Sequence, residues 1–191
     1  MSKKGEYRSS LRSRDNIRRA FIELIQQKGT NEIKITDLVE RADINRSTFY
    51  AHYQGIHAVR EELENEIIQK LFEYMDSNPH IELLKDPSPF FNKIGNELEK
   101  NRDIYRMLLE TSGPDSFAQK LKYIFLERLS SDKNVFCQIK HKKDFLICMN
   151  FFAGGVFNLF FDWAAGRIDM PMDELLKIIC ITVTDSLKKY I

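Results

Sequence analysis

The chain is predicted to be all-α, on three observations. Apolar residues recur at spacings of three and four along most of its 191 residues, no segment alternates strictly between apolar and polar, and the breaks fall at Gly, Asn-Pro and Pro. About nine helices are expected, as an N-terminal three-helix helix-turn-helix domain followed by a larger C-terminal helical bundle. No internal repeat or low-complexity tract interrupts the pattern.

Ile17, Phe21, Leu24 and Ile25 form one apolar stripe, which predicts a helix over about 14–28 with Gly29 as its stop. Thr36 is read as the start of a second, two-turn helix over about 37–41, with Asp37 in its first turn. Ala42, Asp43 and Ile44 then make a tight connection, and Asn45 is a strong N-cap for a third helix over 46–53. Val59, Leu63, Ile67, Leu71 and Met75 mark a long helix over 57–78 that joins the two domains and stops at Asn78-Pro79.

Lys85 to Pro89 reads as a loop. Phe90, Phe91, Ile94 and Leu98 mark a further helix, and Ile104, Tyr105, Leu108 and Leu109 another. Pro114 is expected to open a helix running to about Ser130, followed by a polar break at 131–134. Two strongly apolar helices close the chain, over 141–165 up to Gly166 and over 172–190 after Pro171. The expected domains are 10–57 (helix-turn-helix motif about 34–53) and 58–191.

Charge is distributed unevenly. Residues 1–57 hold 11 Lys and Arg against 7 Asp and Glu, and the rest hold 18 against 21, within a net charge of +1. Lys3, Lys4, Arg8, Arg12, Arg14, Arg18 and Arg19 concentrate the excess at the start, as a polyanion binder would carry it, although taken alone the run also fits a solvated basic tail. The three cysteines, Cys137, Cys148 and Cys180, lie in apolar stretches without metal-ligand spacing and read as reduced core residues. The longest apolar run contains Asn158 and Asp162, so no membrane span or leader is expected and the protein is assigned to the cytoplasm.

The segment 35–50 has the form of a helix-turn-helix. Leu38, Val39, Ala42, Ile44 and Phe49 supply the packing, and Arg46, Ser47, Thr48, Tyr50 and His52 are left for an outer face that a DNA major groove can meet. Spacing alone also fits a helix pair in an ordinary core.

The run from Ile17 through Ala20-Phe21, Gly29, Ile35-Thr36-Asp37-Leu38, Ala42-Asp43-Ile44 and Ser47-Thr48-Phe49-Tyr50-Ala51-His52-Tyr53 closely resembles the N-terminal signature of TetR/AcrR-family regulators, over about 12–64. The resemblance implies that Thr36 caps the scaffold helix beside a phosphate, that 46–50 open the recognition helix, and that Tyr50 and His52 or Tyr53 reach the DNA backbone. Asn45, Ser47 and Thr48 complete the expected DNA-contacting set. Arg46 is the expected base reader, since a guanidinium pairs bidentately with guanine.

Two positions depart from the family pattern. Asp43 stands where Gly is usual in the turn, and Asp tolerates left-handed backbone angles better than most residues. Gly55-Ile56-His57 replaces the usual polar-Lys-acid start of the fourth helix, which removes a phosphate clamp at Ile56. The backbone N–H groups of that helix start, or the basic arm with Arg8, Arg12 and Arg14, are expected to take up part of its load.

Further on, Asn101 to Leu109 and the run from Phe151-Phe152-Ala153-Gly154-Gly155 through Asp162-Trp163 to Gly166 resemble a C-terminal domain common in TetR-like proteins of Gram-positive bacteria. That resemblance implies a homodimer through 141–165 and 172–190, with Gly154-Gly155 permitting close backbone approach. Two recognition helices on a two-fold axis call for a pseudo-palindromic operator in double-stranded DNA.

Aromatic and thioether residues abound in the second domain, Phe91 and Phe157 among them. Phe72, Met75, Tyr105, Met107, Phe117, Phe125, Met149 and Phe152 are the candidates to line a pocket for an apolar small-molecule effector, although each taken singly reads as ordinary core. His57, His80 and His141 are scattered without carboxylate neighbours at ligand spacing and read as solvated, so neither a metal nor another cofactor is expected. No nucleophile-and-base pair or phosphate-binding Gly loop is present, which argues against an enzyme. The expected function is a homodimeric repressor released from its operator by an effector; the alternatives are an activator, or a DNA-binding factor answering to a protein partner.

Overall fold

The computed structural model describes residues 3–28, 33–109 and 116–191, with side chains at 10–27, 33–108 and 116–191. Every regular element among these residues is a helix, eleven in all: α1 Lys3–Lys28, α2 Ile35–Arg41, α3 Arg46–His52, α4 Ile56–Asp76, α5 His80–Lys85, α6 Ser88–Lys100, α7 Arg102–Leu109, α8 Phe117–Ser131, α9 Lys133–Gln138, α10 Lys142–Ala164 and α11 Met172–Leu187. Two more helices form than periodicity indicated. The additional ones, α5 and α9, each span six residues, too short for an apolar stripe to repeat. Asp132 nucleates α9, its Oδ1 accepting the N–H groups of Asn134 (2.8 Å) and Val135 (3.4 Å). The expected stop at Gly29 and start at Pro114 lie outside the described residues.

The chain divides into two compact units, 1–67 and 68–191, with the division inside α4. In the first unit α1, α2 and α3 pack on one another around Ile17, Phe21, Leu38 and Phe49, all essentially inaccessible. Burying such side chains contributes roughly 1.5–3 kcal/mol each. The early turns of α4 are tied to α1 by charge: Arg14 grips Glu62, and Arg18 pairs with Glu66.

In the second unit α10 packs against α6, α7, α8 and α11, and α11 against α5 and α6. The approach of α6 to α11 needs Gly95, where an added Cβ would sit 2.7 Å from Leu176 Cδ1. Gly166 takes the left-handed backbone (φ +75°) that ends α10, with Gly166 N–H on Trp163 O (3.0 Å) and Arg167 N–H on Asp162 O (2.8 Å). Helix α10 has the length and mean hydropathy (1.6) of a membrane span, a test that the core helix of a folded domain also passes. Its face bearing Phe145, Met149, Ala153, Val156 and Phe160 is buried in this unit.

Two sequence expectations are corrected here. Thr36 does not cap α2, because the helix starts two residues earlier, at Ile35, with Lys34 at the N-cap and the Asp37 carboxylate accepting the Lys34 N–H (3.3 Å). Nor are the cysteines core residues: Cys137 is exposed, and Cys148 and Cys180 are half-buried.

Candidate functional site

The turn between α2 and α3 is built on Asp43. Its backbone is left-handed (φ +52°), and the flanking bonds, Asp43 N–H to Glu40 O (3.2 Å) and Ile44 N–H to Val39 O (3.0 Å), close α2 in a Schellman motif. The residue that departs from the family's Gly thus adopts the conformation for which Gly is ordinarily chosen. Asn45 then starts α3, its Oδ1 accepting the Thr48 N–H (2.8 Å) and the Ser47 hydroxyl (2.6 Å).

From that cap α3 sorts its residues by face. Phe49 is fully buried, whereas Arg46, Ser47 and Tyr50 are exposed and Thr48 and His52 half-exposed. The outer face therefore offers a guanidinium, two hydroxyls, a phenol and an imidazole within two helical turns. All of these can hydrogen-bond phosphates or base edges. Thr36 is exposed in the first turn of α2, and Arg12 is exposed on α1. Arg8 lies on α1, but its side chain falls outside the described residues.

Tyr53 behaves differently from the expected backbone contact. It is only 4% exposed, with its ring 5.9 Å from that of Phe49 and its hydroxyl turned inward beside Arg14 and Glu62 without a well-aligned hydrogen bond. Burial, and then the Glu62 carboxylate, push the phenol up to about 12. Arg14 is likewise committed internally, through Nε and Nη2 to Glu62 at 2.8–3.0 Å. Glu62 raises the Arg14 pKa further, while burial of Glu62 is outweighed by the Arg14 hydrogen bonds and the nearby Tyr53 hydroxyl, so its carboxyl titrates below the usual 4.5. This trio clamps the end of α3 and the start of α4 onto α1, a positioning role that residue type alone does not reveal.

The second unit encloses a cavity of about 50 Å³. Of the eight residues expected to line a pocket, Met75, Phe125, Met149 and Phe152 do so. The other four are packing residues elsewhere. Phe72 lies beneath the Arg128 guanidinium (4.6 Å), Tyr105 and Phe117 pack ring to ring (6.4 Å), and Met107 is buried on α7. Leu83, Leu84 and Pro87 join the lining from α5, a helix too short to show in the apolar period, and from the turn after it.

His80, also on α5, faces the same cavity, and the expectation that it is a solvated histidine is overturned. Its side chain is 13% exposed, with Nδ1 2.9 Å from Asp132 Oδ2 and Nε2 3.9 Å from Asp76 Oδ1. Asp132 is distant in sequence, so no local spacing could announce the pair. His57 and His141 are exposed.

Comparisons with known proteins agree with this geometry. Residues 17–63 match the family described as "Bacterial regulatory proteins, tetR family", and residues 85–185 match "Transcriptional regulator C-terminal region", more than half of the chain by itself. No curated protein sequence matches the chain significantly. Among solved structures, the dihydroxyacetone kinase operon activator DhaS is similar at 16% identity and a TM-score of 0.66, covering 93% of this chain and 97% of its own. NalD, the secondary repressor of the MexAB-OprM multidrug efflux pump in Pseudomonas aeruginosa, is similar at 17% identity and a TM-score of 0.69, covering 93% and 96%. Thermus thermophilus FadR, a TetR-family repressor in complex with lauroyl-CoA, is similar at 19% identity and a TM-score of 0.59, covering 89% and 92%. At these identities the likeness bears on the fold, and the family rests on the two sequence matches. The chain belongs to the TetR family of bacterial transcriptional regulators, DNA-binding proteins with an N-terminal helix-turn-helix.

Proposed function

We propose that the protein is a homodimeric repressor that leaves a pseudo-palindromic operator when a small apolar molecule enters its second domain. The observation that carries the dimer is an uncovered apolar stripe. Ile147, Phe151 and Gly155 follow one another at four-residue steps along α10, and the two large side chains are 71% and 74% exposed. On α11, Ile178 and Ile181 are 52% and 64% exposed. Among the described residues nothing from a neighbouring element lies within 4 Å of a Cβ added at Gly155, which leaves room there for a second copy to approach closely. Contiguous exposed apolar surface of this kind ordinarily marks an interface. Pairing of α10 and α11 with their symmetry mates would cover it.

Arg46, Ser47, Thr48, Tyr50 and His52 are then the DNA-facing set, with Asn45 holding the helix start, and Thr36 and Arg12 beside phosphates. Arg46 is the base reader. Tyr53 and Arg14 hold α3 and α4 in place, and the backbone N–H groups of the first turn of α4 stand in for the lysine missing at Ile56.

Release is a population shift. The effector prefers a form of the dimer whose recognition helices do not match the operator spacing, and differential affinity for the two forms supplies the driving force. Repression is favoured by the names of two structural relatives; DhaS carries the name of an activator, and the operator's position relative to a promoter decides between them.

The test is selection from fragmented genomic DNA at two salt concentrations, with sedimentation of the same preparation. A retained pseudo-palindrome, steep salt dependence and a dimer are expected. A folded protein that enriches no sequence would overturn the reading.

A further inference from the structure

We propose that the cavity takes a slim, uncharged apolar molecule bearing a single hydrogen-bonding group, and that His80 receives that group. The inference rests on reading the cavity as the ligand site and adds its chemical class. Among the described residues that line it, every one but His80 offers only hydrocarbon, aromatic or thioether surface. The histidine sits in the wall at the first residue of α5, and its Nδ1 is buried without a well-aligned hydrogen bond although Asp132 Oδ2 is 2.9 Å away. Such an atom has hydrogen-bonding capacity left to satisfy.

The two carboxylates beside it already have other hydrogen-bond partners. Asp132 spends its other oxygen on the N-terminus of α9, and Asp76, 3.9 Å from Nε2, accepts the Nε–H of Arg128 at 2.8 Å. Arg128 in turn lies over the Phe72 ring rather than in the cavity wall. An entering anion would meet His80 with two carboxylates behind it and, among the described lining residues, no lysine or arginine. An entering cation would sit in an apolar wall beside charges that already have partners. Burying either without a counter-charge is unfavourable. A neutral molecule avoids both costs.

Size narrows the class further. A cavity of about 50 Å³ holds little more than a water molecule or two. Met75 and Met149 are unbranched and adapt their rotamers readily, and Phe152 is half-exposed, so a narrow chain is admitted by side-chain rotation, without a fused ring system's demand for space.

The experiment is calorimetric titration of the full-length protein with 1-octanol, octanoate and octylammonium. Octanol is expected to bind, with the two ions at least tenfold weaker. His80→Phe is expected to weaken octanol about tenfold, the value of one hydrogen bond. Ala153→Phe, which fills the cavity from α10, is expected to abolish binding; thermal melts and a His80→Gln variant show that loss of binding is not loss of fold. A charged probe that binds as tightly as octanol, octanol affinity indifferent to His80→Phe, or no binding by any probe would each overturn the proposal. Operator binding measured alongside separates this from the release mechanism. Octanol that binds without altering operator affinity defeats release alone, and release driven by octanoate alone defeats the assignment to a neutral ligand.

Discussion

The guanidinium of Arg102 closes the end of α10: it donates to the carbonyls of Trp163 (2.9 Å) and Ala164 (3.2 Å) and lies 4.6 Å from the centre of the Trp163 ring. The last carbonyls of a helix have no intrahelical donor, and a cation there also meets the favourable end of the helix dipole. Trp163 is fixed from its other side by its indole N–H on Met170 O (2.9 Å). The two motifs that mark the second domain in sequence, around Arg102 and around Asp162-Trp163, are therefore halves of one joint between α7 and α10.

Arg102→Ala is expected to destabilise the protein by about 2–3 kcal/mol, from two hydrogen bonds and a cation–π contact. Lysine at this position, lacking the planar fork, should recover less than half of the loss. Urea denaturation of the three proteins gives the comparison directly.

Asp43→Gly should stabilise by about 1 kcal/mol, since it relieves a non-glycine residue held at φ +52° in the α2–α3 turn. The check is a rise in Tm with an unchanged helical circular dichroism spectrum. A fall in Tm would mean that the Asp43 side chain contributes more than its backbone costs.

The Tyr53, Arg14 and Glu62 trio predicts how stability depends on pH. Glu62 titrates below 4.5 when folded, so its contribution is complete above pH 4.5 and is lost as pH falls below that value. Tyr53, ordinarily near 10, is raised to about 12, so its contribution is present below pH 10 and lost as pH rises towards 12. Glu62→Gln should flatten the acid limb of the stability curve and also weaken the alkaline one, since Glu62 helps to raise Tyr53, whereas Tyr53→Phe should flatten the alkaline limb and leave most of the acid limb, which Arg14 sustains.

If the chain pairs through α10 and α11 as proposed, Phe151→Asp, alone or with Ile181→Asp, should sediment as a folded monomer at micromolar concentration where the unmutated protein sediments as a dimer, because both side chains are exposed within the chain. If the variants unfolded instead, these residues would belong to the monomer's own core.

Arg46→Ala should weaken specific operator binding by about 1–3 kcal/mol and relax discrimination at one base pair of each half-site. Arg12→Ala should lower affinity more evenly across sequences and reduce the salt slope. Competition binding at two salt concentrations separates the two behaviours.

Helices whose stripes repeat over several turns, such as α1, α4 and α10, are visible in the one-dimensional pattern, because burial of one face imposes its period on the residues that form it. So is the α3 start, where the Asn45 cap is a bond across three residues. Local chemistry reaches that far and no farther. Whether Tyr53 faced DNA or the Arg14–Glu62 pair, whether Phe72 or Leu84 lined the cavity, and whether His80 met water or Asp132 depended on residues tens of positions away. Those neighbours are set by how helices pack. The apolar period says that a face is buried, and only the packed arrangement decides against what.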